Sequence, residues 1–529
     1  MGSNPILPYL FIYYYNLLSS SEDFSSFLLF FNHCYLTYVN IFWIEWLLFL
    51  YTLYLIIFFN AKRIDFEFYY IRFILFLSLL LSFLFLSYTF NIPFCLNGAD
   101  LSCNKYSLFC KISILFLLIL ILIISYNKFL TQPNKTSVNE IPIVFTFLLL
   151  FIFILISSYD FFIMYLCIEG ISLIVYTLGS LMNESLINIE AVVKYFLVNN
   201  IASSLFLWSI SYIFILVGST DAFDVQYYIL YNLEIMSNTF LYAIFFVTLV
   251  SITFKLALFP FQWWLADIFE GLWTPITLIY AIIIKATFFL LFFKLITGVF
   301  HNIIFLIQPF LFFSALGSII FGSIGALIQV RIKRFMAYTS IAQSGYIMTG
   351  LACNSINGYV SAMLYLVMYC LITLSFFLIV LNMEHITKKT TVIYLNQLYS
   401  IFIYNKEITF HLVLILLVMA AIPPFSSFFA KLFICMVSIE AKFELIIVFL
   451  LAITLISTFY YLNFIQQLLF FKYKHMDKIY FYNSKSILNF IYLRINSFFF
   501  IFSCFMLPFF YKFMYSLIFS CAFPLSFLF

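Results

Sequence analysis

Charged residues are scarce in this sequence of 529 residues: 25 Lys and Arg and 21 Asp and Glu make up 9% of the chain. A soluble globular protein carries about 25% charged residues. Hydrophobic residues amount to 66% of the chain, more than one water-soluble core can enclose. The composition therefore excludes a soluble enzyme, a nucleic-acid-binding protein and a disordered scaffold, and it predicts an all-α polytopic membrane protein.

Motifs for cofactors and nucleotides are also missing. The 10 Cys form no Cys-x-x-Cys pair, and no His residues accompany them at zinc or iron–sulfur spacing. Neither a Walker loop nor Gly-x-Gly-x-x-Gly occurs, which argues against an ATP-driven pump and against a nucleotide site on this chain. We therefore expect no metal, no cofactor and no nucleic-acid partner.

Gly and Pro are few, 13 and 12, whereas Phe and Tyr are many, 76 and 39. Residues with AT-rich codons thus prevail over residues with GC-rich codons, which suggests an AT-rich genome such as that of an organelle or a parasite. The start of the chain has neither a basic region nor an Arg-rich amphipathic stretch, so we expect no cleavable targeting peptide.

Long apolar runs fill most of the chain. A spanning helix needs about 20 mostly apolar residues. By this criterion we predict about fourteen spans: 42–60, 69–91, 108–126, 142–158, 160–182, 191–217, 239–271, 274–297, 303–329, 332–351, 357–383, 408–438, 444–471 and 486–510. Two earlier apolar stretches, 5–18 and 26–40, predict either one more hairpin or interfacial segments.

Basic residues follow the odd-numbered spans. Loops after these spans hold most of the loop Lys and Arg, while loops after even-numbered spans hold only Lys105 and Lys442, and loop 218–238 is acidic. Cytoplasmic or matrix loops carry the excess of Lys and Arg. We therefore place loops 127–141, 330–334, 384–407 and 472–485 on the inner side and loop 218–238 on the outer side.

Prolines interrupt two over-long spans at corresponding places. Pro260 lies in the seventh span, and Pro423 and Pro424 lie in the twelfth. Each span is the fourth of a five-span group, and an odd number of spans gives the groups opposite topology. Paired interrupted segments in inverted halves are a pointer to a transport site, whereas a single proline would indicate only a kink.

The resulting organisation has five parts. They are an N-terminal extension (1–41), the first three helices (42–126), a first inverted repeat (142–297), a second inverted repeat (303–471), and the last helix with its C-terminal tail (486–529).

Five ionisable residues lie inside apolar spans: Glu45, Glu169, Lys255, Lys285 and Lys431. A charge at mid-membrane costs at least about 2.5–3.5 kcal/mol on insertion scales. Glu45 is near the start of its span, where it is expected to reach the interface. The other four are at mid-depth, and such a set points to transport rather than to helix pairing.

Burial of a lysine disfavours its charged form, and a nearby carboxylate favours it. A Lys–Glu pair whose separation changes is therefore a proton switch, and Glu169 with Lys255 is the natural pair. Lys285 and Lys431 have no carboxylate close in sequence, which suits proton carriers. Glu190 and Lys194 are spaced i,i+4, as in an interfacial ion pair, with a functional role as the alternative. Asp267 and Glu270 are expected to be solvated or to touch a loop.

Four sequence motifs resemble those of one family, the antiporter-like subunits of respiratory complex I. They are residues 190–196 (EAVVKYF), 255–275 (KLALFPFQWWLADIFEGLWTP), 332–346 (IKRFMAYTSIAQSGY) and 422–431 (IPPFSSFFAK). The pattern is most similar to the chain 2 type. Lys431 stands where the chain 4 type carries Glu, and little sequence follows the last span, whereas the chain 5 type continues into a lateral helix.

The resemblance implies a proton-pumping core subunit of the membrane arm, driven by quinone reduction elsewhere in the complex. It assigns the switch to Glu169 and Lys255, the central relay to Lys285 and the exit-side carrier to Lys431. Implied partners are neighbouring membrane-arm subunits of the chain 4, 4L and 6 types and lipids such as cardiolipin. With the composition, it implies the mitochondrial inner membrane and organellar encoding.

Two other functions remain open. A subunit of a multi-subunit cation/proton antiporter shares the fold, and a membrane scaffold would use the charges only to pair helices. Cys95 and Cys103 lie in a loop predicted on the outer side, where a disulfide is permitted but free thiols are equally compatible with the spacing.

Overall fold

The structure is a computed structural model that describes residues 45, 47–55, 66–89, 105–130, 140–181, 186–232, 239–386, 394–395, 406–423, 425–470, 512 and 515–516. Nearly all of these residues are helical. The predictions for residues 1–41, for Cys95 and Cys103, for Pro424 and for the span at 486–510 lie outside the described residues.

The described part of the chain contains sixteen α-helices with known bounds. In chain order they are α1 (Phe66–Thr89), α2 (Lys105–Leu130), α3 (Ile141–Ser157), α4 (Phe161–Ser180), α5 (Leu186–Val217), α6 (Ala222–Asn232), α7 (Thr239–Lys255), α8 (Trp263–Gly271), α9 (Thr274–Ile279), α10 (Lys285–Thr297), α11 (Ile304–Ile328), α12 (Ile332–Ala352), α13 (Ile356–Ile386), α14 (Lys406–Met419), α15 (Ser426–Glu440) and α16 (Glu444–Phe470). Within the described part, seven helical stretches are long and apolar enough to cross a membrane.

The outward faces of several helices are apolar. Ile215 on α5, Phe305 on α11 and Leu455 on α16 are each more than 70% exposed. Large exposed apolar surfaces are rare on soluble monomers, so we assign these faces to contact with lipid. The stretch from α9 to α10 has the opposite character, since its most apolar part is wholly buried. It therefore lies at the centre of the bundle.

The helix that contains Pro260 is broken directly after Lys255. Ala257 has a φ of 54°, and the N–H of Leu258 donates to the carbonyl of Thr253. This is the hydrogen bond of a Schellman motif, which ends a helix with one left-handed residue. The peptide bond before Pro260 is cis, and α8 begins at Trp263.

The second break also has an alanine in the left-handed conformation. Helix α14 ends at Met419, and Ala421 has a φ of 54°. Pro423 follows, and α15 begins at Ser426. The carbonyl of Val418 accepts the N–H of Ala421 and also the hydroxyl of Ser427 from across the break.

A π-helical turn, Tyr280–Ile284, separates α9 from α10. The N–H of Lys285 bonds to the carbonyl of Tyr280, five residues earlier. Such single π turns within α-helices are frequent at functional sites. Here the turn directly precedes a lysine buried at the centre of the bundle.

Loops that were predicted to share a side of the membrane meet in the structure. The backbones of Asp160 and Asp221 form an isolated antiparallel β-bridge on the side predicted to be outer. The backbones of Arg331 and Tyr394 form another on the side predicted to be inner. Which side faces which compartment stays a prediction.

Candidate functional site

Glu169 lies on α4 and is half-buried. The hydroxyl of Ser172, one turn later, donates to its Oε2 atom at 3.2 Å. Lys255 interacts with this carboxylate electrostatically, but no direct ion pair joins these two described residues. The role of Glu169 and Lys255 as a proton switch stays a prediction.

Lys255 is the last residue of α7, directly before the break. It is 5% exposed, and its Nζ atom is buried without a hydrogen-bond partner. Buried polar groups are normally bonded, and each exception calls for an explanation. An ammonium that must sometimes release its proton is one explanation, because a fixed set of acceptors would hold the charged form permanently.

Lys285 follows the π turn and is 1% exposed. Its Nζ atom donates to the hydroxyl of Ser340 on α12 at 3.0 Å and lies 6.0 Å from the centre of the Tyr369 ring on α13. Both contacts are to neutral groups. Lys285 therefore points into the bundle, as a central carrier requires.

Lys431 lies on α15, after the second break, and is half-buried. Its Nζ atom lies 4.9 Å from the centre of the Tyr346 ring on α12, a distance at which an ammonium is attracted to the ring face. The hydroxyl of Tyr346 is buried without a partner.

One helix, α12, contacts both Lys285 and Lys431. Ser340 bonds to Lys285, and Tyr346 faces Lys431. Ser340 and Tyr346 are six positions apart, or about 9 Å along the helix. Between them, the Oε1 atom of Gln343 is buried without a partner. Polar groups of α12 thus span the distance between the two lysines.

Glu190 and Lys194 form the predicted ion pair, at 2.8 Å. Lys194 also pairs with Asp267 at 3.0 Å, and Arg334 binds both Asp267 and Glu270. Arg331 pairs with Glu270 as well.

The expectation that Asp267 and Glu270 are solvated or touch a loop is confirmed: the Asp267 side chain is 38% exposed, and Glu270 pairs with Arg331 in the loop predicted at 330–334. The short helix α8 ends in acidic residues that two arginines at the start of α12 and a lysine on α5 neutralise. We name these six residues, Glu190, Lys194, Asp267, Glu270, Arg331 and Arg334, the inner ion network.

The expectation for Glu45 was wrong. Instead of reaching the interface, this residue is 9% exposed and pairs with Lys111 on α2 at 2.5 Å. The side chain of Lys111 is fully buried. The sequence reasoning missed Lys111, although a lysine inside the apolar run of α2 was a signal that it needed a partner.

Lys294 is a further buried cation that the sequence reasoning missed. It donates to the carbonyls of Ile156 and Ser158 at the end of α3, and its Nζ atom lies 3.9 Å from the centre of the Tyr159 ring. A cation is stabilised at a helix C-terminus, so Lys294 has a structural anchor. Among the described residues, no group of three His, Cys, Asp or Glu could hold a metal ion.

Comparison with protein families gives a match to the family described as NADH:quinone oxidoreductase/Mrp antiporter, over residues 158–457. A curated protein of Pelagibacter ubique (strain HTCC1062), NADH-quinone oxidoreductase subunit N, is 32% identical over 345 residues, which cover 64% of this chain and 71% of that protein. The subunit N of Azobacteroides pseudotrichonymphae genomovar. CFP2 is 30% identical over 354 residues, covering 66% and 72%.

Solved structures share the fold at lower identity. A chain of respiratory complex I from Thermus thermophilus matches with a TM-score of 0.70 and 20% identity, covering 88% of this chain and 98% of that chain. A chain of the Mrp complex from Dietzia sp. DQ12-45-1b matches with a TM-score of 0.75 and 13% identity, covering 91% and 97%. At these identities the likeness concerns the fold alone.

Proposed function

Because the chain belongs to the NADH:quinone oxidoreductase/Mrp antiporter family, we propose that it is a proton-translocating core subunit of the membrane arm of a respiratory NADH:quinone oxidoreductase. Its work is to move protons while quinone is reduced on other subunits. The chain itself holds no redox centre and no cofactor in this proposal.

The proposed route begins at Glu169 and Lys255, continues at Lys285 and leaves through Lys431. Movement at the broken helix would change the distance between Glu169 and Lys255, and with it the proton affinity of the pair. In this proposal each half of the chain is a five-helix inverted repeat with one broken helix. The break is at Pro260 in the first repeat and at Pro423 and Pro424 in the second, and the two broken helices are the elements that move.

One observation carries this proposal: Lys285 is 1% exposed at the centre of the bundle, where its side chain donates a hydrogen bond to the neutral hydroxyl of Ser340. A structural lysine would be expected to have a carboxylate or several carbonyls around it, as Lys111 and Lys294 do. A lysine with so little fixed compensation suits a group that gains and loses its proton during each cycle.

The assembled particle is the first test. We expect the native chain to migrate with a particle on the megadalton scale whose NADH oxidation pumps protons and stops with an inhibitor of quinone reduction. Migration as a small particle without NADH oxidation would contradict the assignment to the respiratory enzyme.

A subunit of a multi-subunit cation/proton antiporter is the second candidate, because the description of the matching family also names the Mrp antiporter. This function predicts that added Na⁺ or K⁺ collapses a pH gradient across vesicles that contain the chain, in the absence of NADH. The same vesicles would show no proton uptake with NADH and quinone.

The same proposal also predicts which subunits and lipids surround the chain. Neighbouring subunits of the chain 4, 4L and 6 types would cover the ends of the relay, and lipids such as cardiolipin would cover the apolar faces. The relatives named above are bacterial, so a mitochondrial inner membrane and organellar encoding rest on the AT-rich composition. The assignment to the chain 2 type rests on Lys431, which stands where the chain 4 type carries Glu.

A further inference from the structure

Three buried tyrosines form a row between α4, the helix of Glu169, and the centre of the bundle. Tyr176 lies on α4, Tyr195 on α5 and Tyr280 at the start of the π turn. Their rings meet edge to face, with centroids 5.1 Å apart in the first pair and 5.6 Å apart in the second. The three side chains are 9%, 3% and 1% exposed. The row therefore crosses from α4 to α10 through the interior.

The first end of this row adjoins Glu169. The hydroxyl of Ser172 donates to the carboxylate, and Tyr176 lies one helical turn after Ser172 on α4. Tyr195 lies one helical turn before Asn199 on α5, and its ring contacts those of Tyr176 and Tyr280. Polar residues thus follow one another from the carboxylate to the π turn.

The second end is joined to Lys285 through the backbone of the π turn. In an α-helix, residues five apart lie on nearly opposite faces. Here the N–H of Lys285 bonds to the carbonyl of Tyr280, so the widened turn stacks one residue above the other. A regular helix would carry Tyr280 away from the face of Lys285.

Polar atoms without partners gather along the row. The hydroxyl of Tyr176, the Nδ2 atom of Asn199 and the Nε1 atom of Trp264 are all buried and unbonded. The Trp264 ring lies 5.9 Å from Tyr195 and 6.1 Å from Tyr280. Three such atoms in one place are costly if they are only structural. They fit a site where hydrogen bonds are made and broken.

On the basis of the proposed function, we propose that the hydroxyls of Tyr176, Tyr195 and Tyr280 carry protons between Glu169 and Lys285. In each step a hydroxyl oxygen accepts one proton and its own proton passes to the next acceptor. One O–H bond forms and one breaks, so each tyrosine ends neutral and no oxidation is involved. Where two hydroxyls do not touch, the proposal requires one water molecule between them as a further acceptor.

The variant Tyr195→Phe tests this proposal, because it removes the central hydroxyl and keeps the ring. In the assembled complex we expect proton pumping linked to quinone reduction to fall about tenfold or more, since groups that transfer protons contribute about 10²–10⁴-fold. Assembly and electron transfer from NADH to a soluble acceptor should stay unchanged. A merely structural role would instead lower the amount of complex.

Tyr359→Phe is the matched control. This tyrosine is also buried, but its hydroxyl bonds to Asn354 at 2.6 Å, away from the row, and pumping should be retained. If Tyr195→Phe does not assemble, Tyr280→Phe is measured in its place.

Lys285→Ala separates this proposal from the proposed function. Loss of pumping in Lys285→Ala together with normal pumping in Tyr195→Phe and Tyr280→Phe would overturn the tyrosine route and leave the lysine relay standing. Normal pumping in Lys285→Ala would overturn both. Loss in Lys285→Ala and in the tyrosine variants, with normal pumping in Tyr359→Phe, is the result that we expect.

Discussion

The ion pair of Glu45 and Lys111 offers a stability test that is independent of pumping. Its side chains are 11% and 0% exposed, and the charged atoms lie 2.5 Å apart. The pair also lies outside residues 158–457, the segment that matches the family. Its removal should therefore change the attachment of the first helices without touching the relay.

The expected magnitude follows from burial. Removing one partner of a buried pair costs about 3–5 kcal/mol, because the other charge stays behind uncompensated. Lys111→Met leaves the carboxylate of Glu45 in this state. A cost of about 3 kcal/mol would lower the ratio of native to unfolded protein more than 100-fold. Replacing both partners with apolar residues of similar volume should be close to neutral or stabilising.

The assay is thermal unfolding of the purified complex, followed by loss of this chain from the particle. We expect Lys111→Met and Glu45→Leu to lower the apparent Tm clearly, and the double variant to return close to the unmodified protein. A double variant as unstable as either single variant would refute the reasoning, because lost packing rather than an unpaired charge would then explain the cost.

Three further predictions concern the switch, the inner ion network and the packing of the bundle. Glu169→Gln removes the counter-charge of Lys255 and should abolish pumping with normal assembly, which a proton-uptake assay on vesicles checks. Arg334→Ala should cost no more than about 1 kcal/mol, since Asp267 retains Lys194 and the network is partly exposed; the loss in Tm should shrink at high salt. Gly322→Leu should destabilise by about 1–3 kcal/mol or more, because even a Cβ atom there would lie 2.5 Å from the backbone of α12; the yield of folded protein measures it.

The sequence was informative wherever a property belongs to one continuous segment. The length of each apolar run predicts where helices lie, and proline marks both breaks. The position of Lys285 in the middle of its apolar run predicts that the side chain is buried. In the structure Lys285 is 1% exposed. These signals depend only on neighbours in the chain.

Contacts between distant segments could not be predicted in the same way. Glu45 and Lys111 are 66 residues apart, and no periodicity indicates that their helices face one another. The inner ion network joins α5, α8 and α12 for the same reason. The π turn also has no composition of its own, because Ile and Ala at positions 281–284 suit an α-helix equally well.

The most direct test of the central claim is proton pumping by Lys285→Arg in the assembled complex. Arginine keeps the positive charge but does not release its proton in proteins, so a relay predicts that pumping stops although the complex assembles and accepts electrons from NADH. If the charge only holds helices together, arginine should replace lysine. Normal pumping by Lys285→Arg would therefore contradict the proton relay.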